Sequence, residues 1–307
     1  MRPCLIIIIF GISTVFSGQV ASGYEAVALE DAGTITGTVT LVGPVPKPKG
    51  YNLTTLPDPI YCGRISDGQG WRLLQPFQTG PGGVFRGVVV YLETIERGKP
   101  FLDAPPRIEA RDCRFLPFVN LVRDGHDITV VNTDPALHDI QAYETSHLGP
   151  RVLFNVPLPI SQRYPHEAGL SAHFHKHYEG TPVTLPIHMT KGRRVFTMQC
   201  GFHAYMESWA LVQDHPYYTV TDESGRFELT GVPPGTYRIK IWHPYVRDEI
   251  TQSVTVPSKG TSDVSFSVTA PTGRLYANQM VEKVYNRYHL TEDEQSQIVP
   301  TLDKQAY

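Results

Sequence analysis

The sequence predicts an all-β protein, and three observations carry that prediction. Apolar residues come in short alternating or continuous runs, and helical spacing is rare before residue 276. Twenty-six glycines and 26 prolines interrupt the 307-residue chain at short intervals, as turns between strands do. Aromatic residues make up 10%, a share that suits half-buried strands. The length allows two domains, each with its own core. A net charge of −3 with no basic run argues against nucleic acid as a partner.

Taken in order, 33–42 alternates apolar and small polar residues and reads as a strand; Pro44, Pro46 and Pro48 then keep the chain extended. Residues 51–83 are rich in loop-formers, and 84–91 reads as a largely buried strand. Shorter strands are expected at 107–109 and 115–120, then a turn at 123–126 and a strand at 127–132. Segment 144–187 breaks this rhythm: it is rich in Pro and His, has one short apolar run at 152–156, and reads as an insertion lying over the β core. Strands follow at 194–198 and 208–212. Beyond 213 the turns at 222–225 and 231–235 separate strands at 217–221, 226–229, 237–242, 249–256 and 263–268. At Tyr276, Met280, Val281, Val284, Tyr285 and Tyr288 the period becomes helical, and Thr291 with Glu294 resembles a capping box for a second short helix.

The N-terminus reads as an export signal. Arg2 supplies the charge, 5–16 the apolar stretch, and Ala21, Ser22 and Gly23 the small residues before a cleavage expected between Ala21 and Ala26. The stretch is shorter than the ~20 apolar residues of a spanning helix; an uncleaved anchor is the alternative. Cys4 precedes the apolar stretch and does not suit lipid attachment. A soluble periplasmic protein without stable membrane insertion is expected. Cys62, Cys113 and Cys200 then remain, an odd number for an oxidising compartment. Cys200 has ligand-type neighbours, so a Cys62–Cys113 disulfide resolves the count; two unrelated thiols are the alternative.

Those neighbours form the sequence's most informative stretch, Cys200-Gly201-Phe202-His203-Ala204-Tyr205-Met206. Thiolate, imidazole and thioether are three of the four ligands of an electron-transfer copper site, which needs a second imidazole. His138 supplies it, six residues after Asn132 at the end of a strand. This N-x(5)-H followed by a distant C-x-x-H-x-x-M resembles the cupredoxins, the loop spacing being of the amicyanin type. The resemblance covers 84–143 and 186–213 and implies a Greek-key β-sandwich with one type 1 copper. His138, Cys200 and His203 would be the trigonal ligands and Met206 the axial one. Asn132 would brace the ligand loops. Asp139 stands where many of the family carry Asn; its N–H can reach the sulfur, and its carboxylate should favour the cupric state. In that family the loop histidine faces solvent, so Phe202, Ala204 and Tyr205 would form the partner patch around His203.

A second resemblance lies in Thr221-Asp222-Glu223-Ser224-Gly225-Arg226-Phe227 and Pro233-Pro234-Gly235-Thr236-Tyr237, which are similar to the carboxypeptidase regulatory-like β-sandwich. The expected organisation is a signal peptide (1–23), a cupredoxin-like domain (24–213, with 144–187 inserted), a regulatory-like β-sandwich (214–270) and a helical tail (271–307). His173, His175 and His177 alternate along an extended tract, either a candidate second metal site or a polar loop. His243 reads as a packing or capping residue, with contact to the copper domain as the alternative. No Ser/His/Asp arrangement, phosphate loop or zinc-type C-x-x-C pair is evident. The expectation is an electron carrier rather than an enzyme, exchanging electrons with a cytochrome or an oxidoreductase. A copper-delivery protein and an electron-transfer subunit of a larger oxidoreductase are the other readings.

Overall fold

The computed structural model describes residues 23–58, 61–62, 65–66, 71–102, 104–144, 149–160, 177–247, 249–276 and 299–300. Among the described residues the regular structure is strand, with short 3-10 turns such as Leu53–Thr55 and Pro81–Gly83. The expected signal segment lies outside the described residues, apart from Gly23, and the expected helices lie outside them apart from Tyr276. The described part of the tail holds no helix: Val299–Pro300 is extended and pairs with Ile65–Ser66. The helical tail is therefore corrected to a strand at that point, where Pro300 has a fixed φ and no N–H to donate to a helix.

The strands form two sandwiches. In the first, one sheet runs in the order Val119–Val122, Glu207–Val212, Val195–Gln199, His138–Glu144, Arg151–Leu158. The other runs Val183–Pro186, Asp127–Asn132, Arg107–Ala110, Phe115–Leu116. Alternation selects the inward faces: Ile128 and Val130 from one sheet meet Ile140, Ala142, Phe196 and Met198 from the other. The second sandwich pairs Tyr218–Val220, Val89–Leu92, Gly235–Trp242 and Ile250–Val256 in one sheet. Its other sheet is built on Gly33–Val42, flanked by Arg226–Val232 on one side and by Thr261–Asp263 and Phe266–Thr269 in parallel on the other. Gly37 allows Gly33–Val42 to pass the chain at Val264, because a Cβ there would collide with the Val264 carbonyl.

This pairing corrects the expected domain boundary at 213. Gly33–Val42 and Val89–Leu92 precede the first sandwich in the chain yet belong to the second. The first sandwich is thus inserted between Val89–Leu92 and Tyr218–Val220, two strands that pair with each other. Strand partners lie as far apart as Thr34 and Thr261, and alternation sets which face is buried, not which strand lies alongside. Two further readings change. The expected strand at 84–91 is regular only from Val89, because Gly87 has φ 75° and turns the chain. Within 144–187, Arg151–Leu158 pairs with His138–Glu144 and Val183–Pro186 with Asp127–Asn132, so both are integral strands rather than a lid.

Between the sandwiches Val89 and Tyr91 pack on Phe118, Val119 and Leu211. Beside them lies a buried ion pair, Lys49 Nζ to Glu207 Oε2 at 2.5 Å. The Tyr245 hydroxyl joins both, receiving a bond from Lys49 at 3.0 Å and donating to Glu207 at 2.6 Å. Two His-Pro-Tyr turns recur in the second sandwich. In each, the imidazole Nδ1 accepts the Tyr N–H, at 3.2 Å for His215 and Tyr217 and 3.3 Å for His243 and Tyr245. Each Nε2–H donates to a carbonyl, that of Leu92 at 2.9 Å or Pro76 at 3.2 Å. Proline between them has no N–H to compete. His243, packed at a tilt against Phe77 and Phe85, is thus a capping residue.

Two predictions follow from this packing. Lys49→Ala or Glu207→Ala alone strands a buried charge and should cost about 3–5 kcal/mol in urea unfolding, whereas Lys49→Met with Glu207→Leu should recover most of it. Burial holds the His243 pKa near 3, below its ordinary 6.5. The unfolded chain therefore takes up a proton that the folded one rejects. The stability this provides is complete above about pH 6.5 and declines toward pH 3, by about 1.4 kcal/mol per pH unit for the one group. His243→Gln should flatten that part of the urea midpoint against pH profile.

Candidate metal centre

Asn132 ends its strand with its side chain fully buried. Its amide donates to the Ala136 carbonyl at 3.0 Å and its oxygen accepts the Asp134 N–H at 2.9 Å, folding 132–136 into a tight turn. That turn delivers His138 as the first residue of His138–Glu144. From the neighbouring strand Val195–Gln199 comes Cys200, opening a loop that closes on itself. The Cys200 N–H donates to Met206 O at 3.1 Å, and the Met206 N–H to His203 O at 2.8 Å. Gly201 lets the loop pass close to Gln141: a Cβ there would displace the Gln141 amide.

Three donor atoms converge. His138 Nδ1 and His203 Nδ1 lie 3.2 Å apart, and the Cys200 sulfur is 3.9 and 3.8 Å from them. Ordinary metal–nitrogen and metal–thiolate bonds of about 2.0–2.3 Å span a trigonal set with edges of about 3.4–3.8 Å, so the donors fit an ion between them. His138, His203 and Met206 are fully buried and Cys200 is 3% exposed. N–H groups of Asp139, His203 and Phe202 point at the sulfur. Burial nevertheless pushes the thiol up to about 12 without an ion, and burial with His138 nearby pushes His203 down to about 4. The Cys200 thiol thus keeps its proton, and an ion bound by its sulfur must displace that proton.

The second nitrogen of each ring is committed elsewhere. His138 Nε2–H donates to Asp134 Oδ2 at 3.0 Å, and both side chains are fully buried. The Asp134 carboxylate also accepts the Asp112 and Cys113 N–H groups, at 2.7 and 2.8 Å, and the Tyr61 hydroxyl at 3.0 Å. His203 Nε2–H donates to the Pro57 carbonyl at 3.2 Å. These bonds fix both tautomers and turn both Nδ1 atoms inward.

Several expectations change. His203 does not face solvent: residues 53–58 pass over it as a strap, and the patch expected around it is divided. Phe202 and Ala204 are exposed, whereas Tyr205 is buried beneath Tyr51 and the Arg72 guanidinium, which sits 4.5 Å from its ring centre. The Asp139 carboxylate accepts the Gly201 N–H at 2.6 Å and the Gln141 amide at 2.7 Å, and beside the Cys200 thiol it helps raise that group's pKa. His173 and His175 lie outside the described residues; His177 meets Asp112 at 3.3 Å and the Thr133 carbonyl at 3.2 Å. Cys62 and Cys113 form a disulfide, and Cys200 is the free, buried thiol. Asp134 and Pro57 had no reading from sequence; the one signal for Asp134 was an acid four residues before His138 on a tight turn.

Residues 210–269 match the carboxypeptidase regulatory-like domain model. That match covers the later strands of the second sandwich and omits Gly33–Val42 and Val89–Leu92, which the inserted sandwich separates from them. No curated protein matches the chain. Among solved structures, the Cu-containing nitrite reductase from Thermus scotoductus is 14% identical, and the match covers 40% of this chain but only 25% of that one (TM-score 0.24). An amicyanin mutant with Cu(I) is 12% identical, with 40% of this chain and 98% of that chain covered (TM-score 0.25). A purple cupredoxin from Nitrosopumilus maritimus is 17% identical over 35% of this chain and 99% of that one (TM-score 0.25). The chain is thus similar to the carboxypeptidase regulatory-like domain over 210–269, and its structural neighbours include cupredoxins.

Proposed function

We propose that this is an exported type 1 copper protein that carries one electron at a time between redox partners, a cytochrome or an oxidoreductase. One observation carries the reading: two Nδ1 atoms and one thiol sulfur converge within 4 Å of one another in a buried hole. Copper bound there would supply a one-electron couple with little change in its ligands. His138, Cys200 and His203 would hold it, with Met206 as the weak axial ligand.

The chain's own groups do the rest. Asp134 and Pro57 hold the two imidazoles so that neither ring must turn when the charge of the site changes. The N–H groups of Asp139, Phe202 and His203 stabilise thiolate on Cys200 once its proton has left. Burial of all four side chains excludes water and favours a retained ion over one handed on, so electron transfer is preferred to copper delivery. Among the described residues no helix is long and apolar enough to cross a membrane. The disulfide suits an oxidising compartment, and with the charged and apolar N-terminus it supports export to the periplasm.

Protein loaded with Cu(II) should show an intense blue thiolate-to-copper band and a reversible one-electron couple. Cys200→Ser should abolish both, while His177→Ala should leave the band in place; a colourless copper-loaded protein would exclude the reading. Asp134→Asn should weaken metal affinity by about 10- to 100-fold in a competitive chelator titration, because an amide N–H can then face the His138 Nε2–H where the carboxylate accepted it.

A further inference from the structure

His203 is sealed from solvent by one layer of chain. The strap is anchored at Leu53, which is buried in the first core. It turns through Asp58, whose φ is 49°, and closes with the Cys62 N–H donating to Asp58 O at 2.9 Å. Cys62 is bridged to Cys113, whose N–H is held by Asp134. Beneath the strap, His203 Nε2 meets the Pro57 carbonyl at 3.2 Å, the Cys62 sulfur at 3.6 Å and the Asp58 carboxylate at 3.7 Å. Above it, Pro57 and Asp58 are exposed. A single peptide unit therefore stands between the buried ring and water.

We propose that electrons cross this strap, from His203 Nε2–H through the Pro57 carbonyl, instead of leaving by an open histidine edge. The inference rests on the copper reading above. Tunnelling falls off more steeply across empty gaps than along bonds, and a hydrogen bond counts with the bonds. From His203, the ring and one hydrogen bond reach the exposed strap. From Cys200, one way out runs through the side chain and a peptide unit to Gly201 and another through the Phe202 N–H that points at its sulfur, so it is between the two imidazoles that the strap is singled out. From His138, the hydrogen bond leads to Asp134, which is itself fully buried. Of the two imidazole exits the strap is the shorter, and Asp58 places a carboxylate beside it.

The test uses the reduced, copper-loaded full chain and two outer-sphere oxidants. One electron passes to hexacyanoferrate(III), giving hexacyanoferrate(II), or to tris(phenanthroline)cobalt(III), giving the cobalt(II) complex; no bond to the chain forms or breaks. At low salt, Asp58→Lys should speed reaction with the anionic oxidant and slow it with the cationic one, each by about fivefold. Glu228→Lys, exposed on the second sandwich, should change neither rate, and the optical band should be the same in both variants. Freeing the strap with Cys62→Ser and Cys113→Ser should speed solvent exchange of His203 Nε2–H in the diamagnetic Cu(I) protein, read by NMR, and, by breaking the bonded path, lower both oxidation rates. Equal responses to Asp58→Lys and Glu228→Lys would overturn the proposal, as would faster exchange with unchanged rates. Should the double variant not fold, the charge-reversal pair decides alone. Loss of the reversible couple in the unaltered protein would refute the copper reading instead.

Discussion

Two imidazole nitrogens face each other at 3.2 Å inside a dry interior, with a thiol beside them. Without an ion, this arrangement gains little: one ring can donate to the other only by giving up the bond that holds its far nitrogen. It persists because each far nitrogen has a stronger commitment. His138 is tied to a buried carboxylate and His203 to a backbone carbonyl. The two rings are therefore oriented by the fold itself, and the cost of arranging them is met by folding.

The supports reach far along the chain. Asp134 is held by the N–H groups of Asp112 and Cys113 and by the Tyr61 hydroxyl, so the orientation of His138 depends on the 61–62 and 112–113 segments. Those segments are joined by a disulfide closing a loop of 51 residues, worth about 4 kcal/mol on the chain-entropy model. The Cys200 loop runs into Glu207, whose ion pair with Lys49 lies at the junction with the second sandwich. The regulatory-like sandwich is thus a clamp as well as a neighbour: its strands flank the inserted one on both sides in sequence, and the chain around Lys49 between two of them also leads into the strap.

Local chemistry was legible in the sequence, and distant pairing was not. Cys200 and His203 share one short loop, and His138 follows a strand and an Asn, so the three converging donors could be read residue by residue. The disulfide followed from an odd cysteine count. Gly33–Val42 was readable as a strand because alternation is local, but its partners at 226–232 and 261–269 lie beyond any local signal. The strap was hidden for the same reason. Pro57 acts through its carbonyl, a group every residue has, so no side chain announces it. His203 was expected at the surface because the loop pattern alone does not show what another part of the chain lays over it.

The two carboxylates near the site show how position decides a charge's role. Asp139 follows the ligand His138 directly, which invites an electrostatic role at the metal. Successive residues on a strand point to opposite faces, however, and its carboxylate instead accepts the Gly201 N–H and the Gln141 amide. It joins the two ligand loops and lies beside the Cys200 thiol, whose pKa it raises. Asp134 lies four residues earlier, but the turn built by Asn132 folds it back onto the imidazole. Its charge acts through a hydrogen bond to a ring that would itself hold the ion, in an interior where interactions are screened less than in water. Both carboxylates would thus favour the higher charge state of the site, Asp139 from beside the Cys200 thiol and Asp134 through the imidazole. The Arg72 guanidinium, fully buried against Tyr205 on the His203 side, pulls the other way and favours the lower charge state. The balance between an anion behind one imidazole and a cation near the other, both held in fixed positions by the fold, sets the electrostatic bias of the centre.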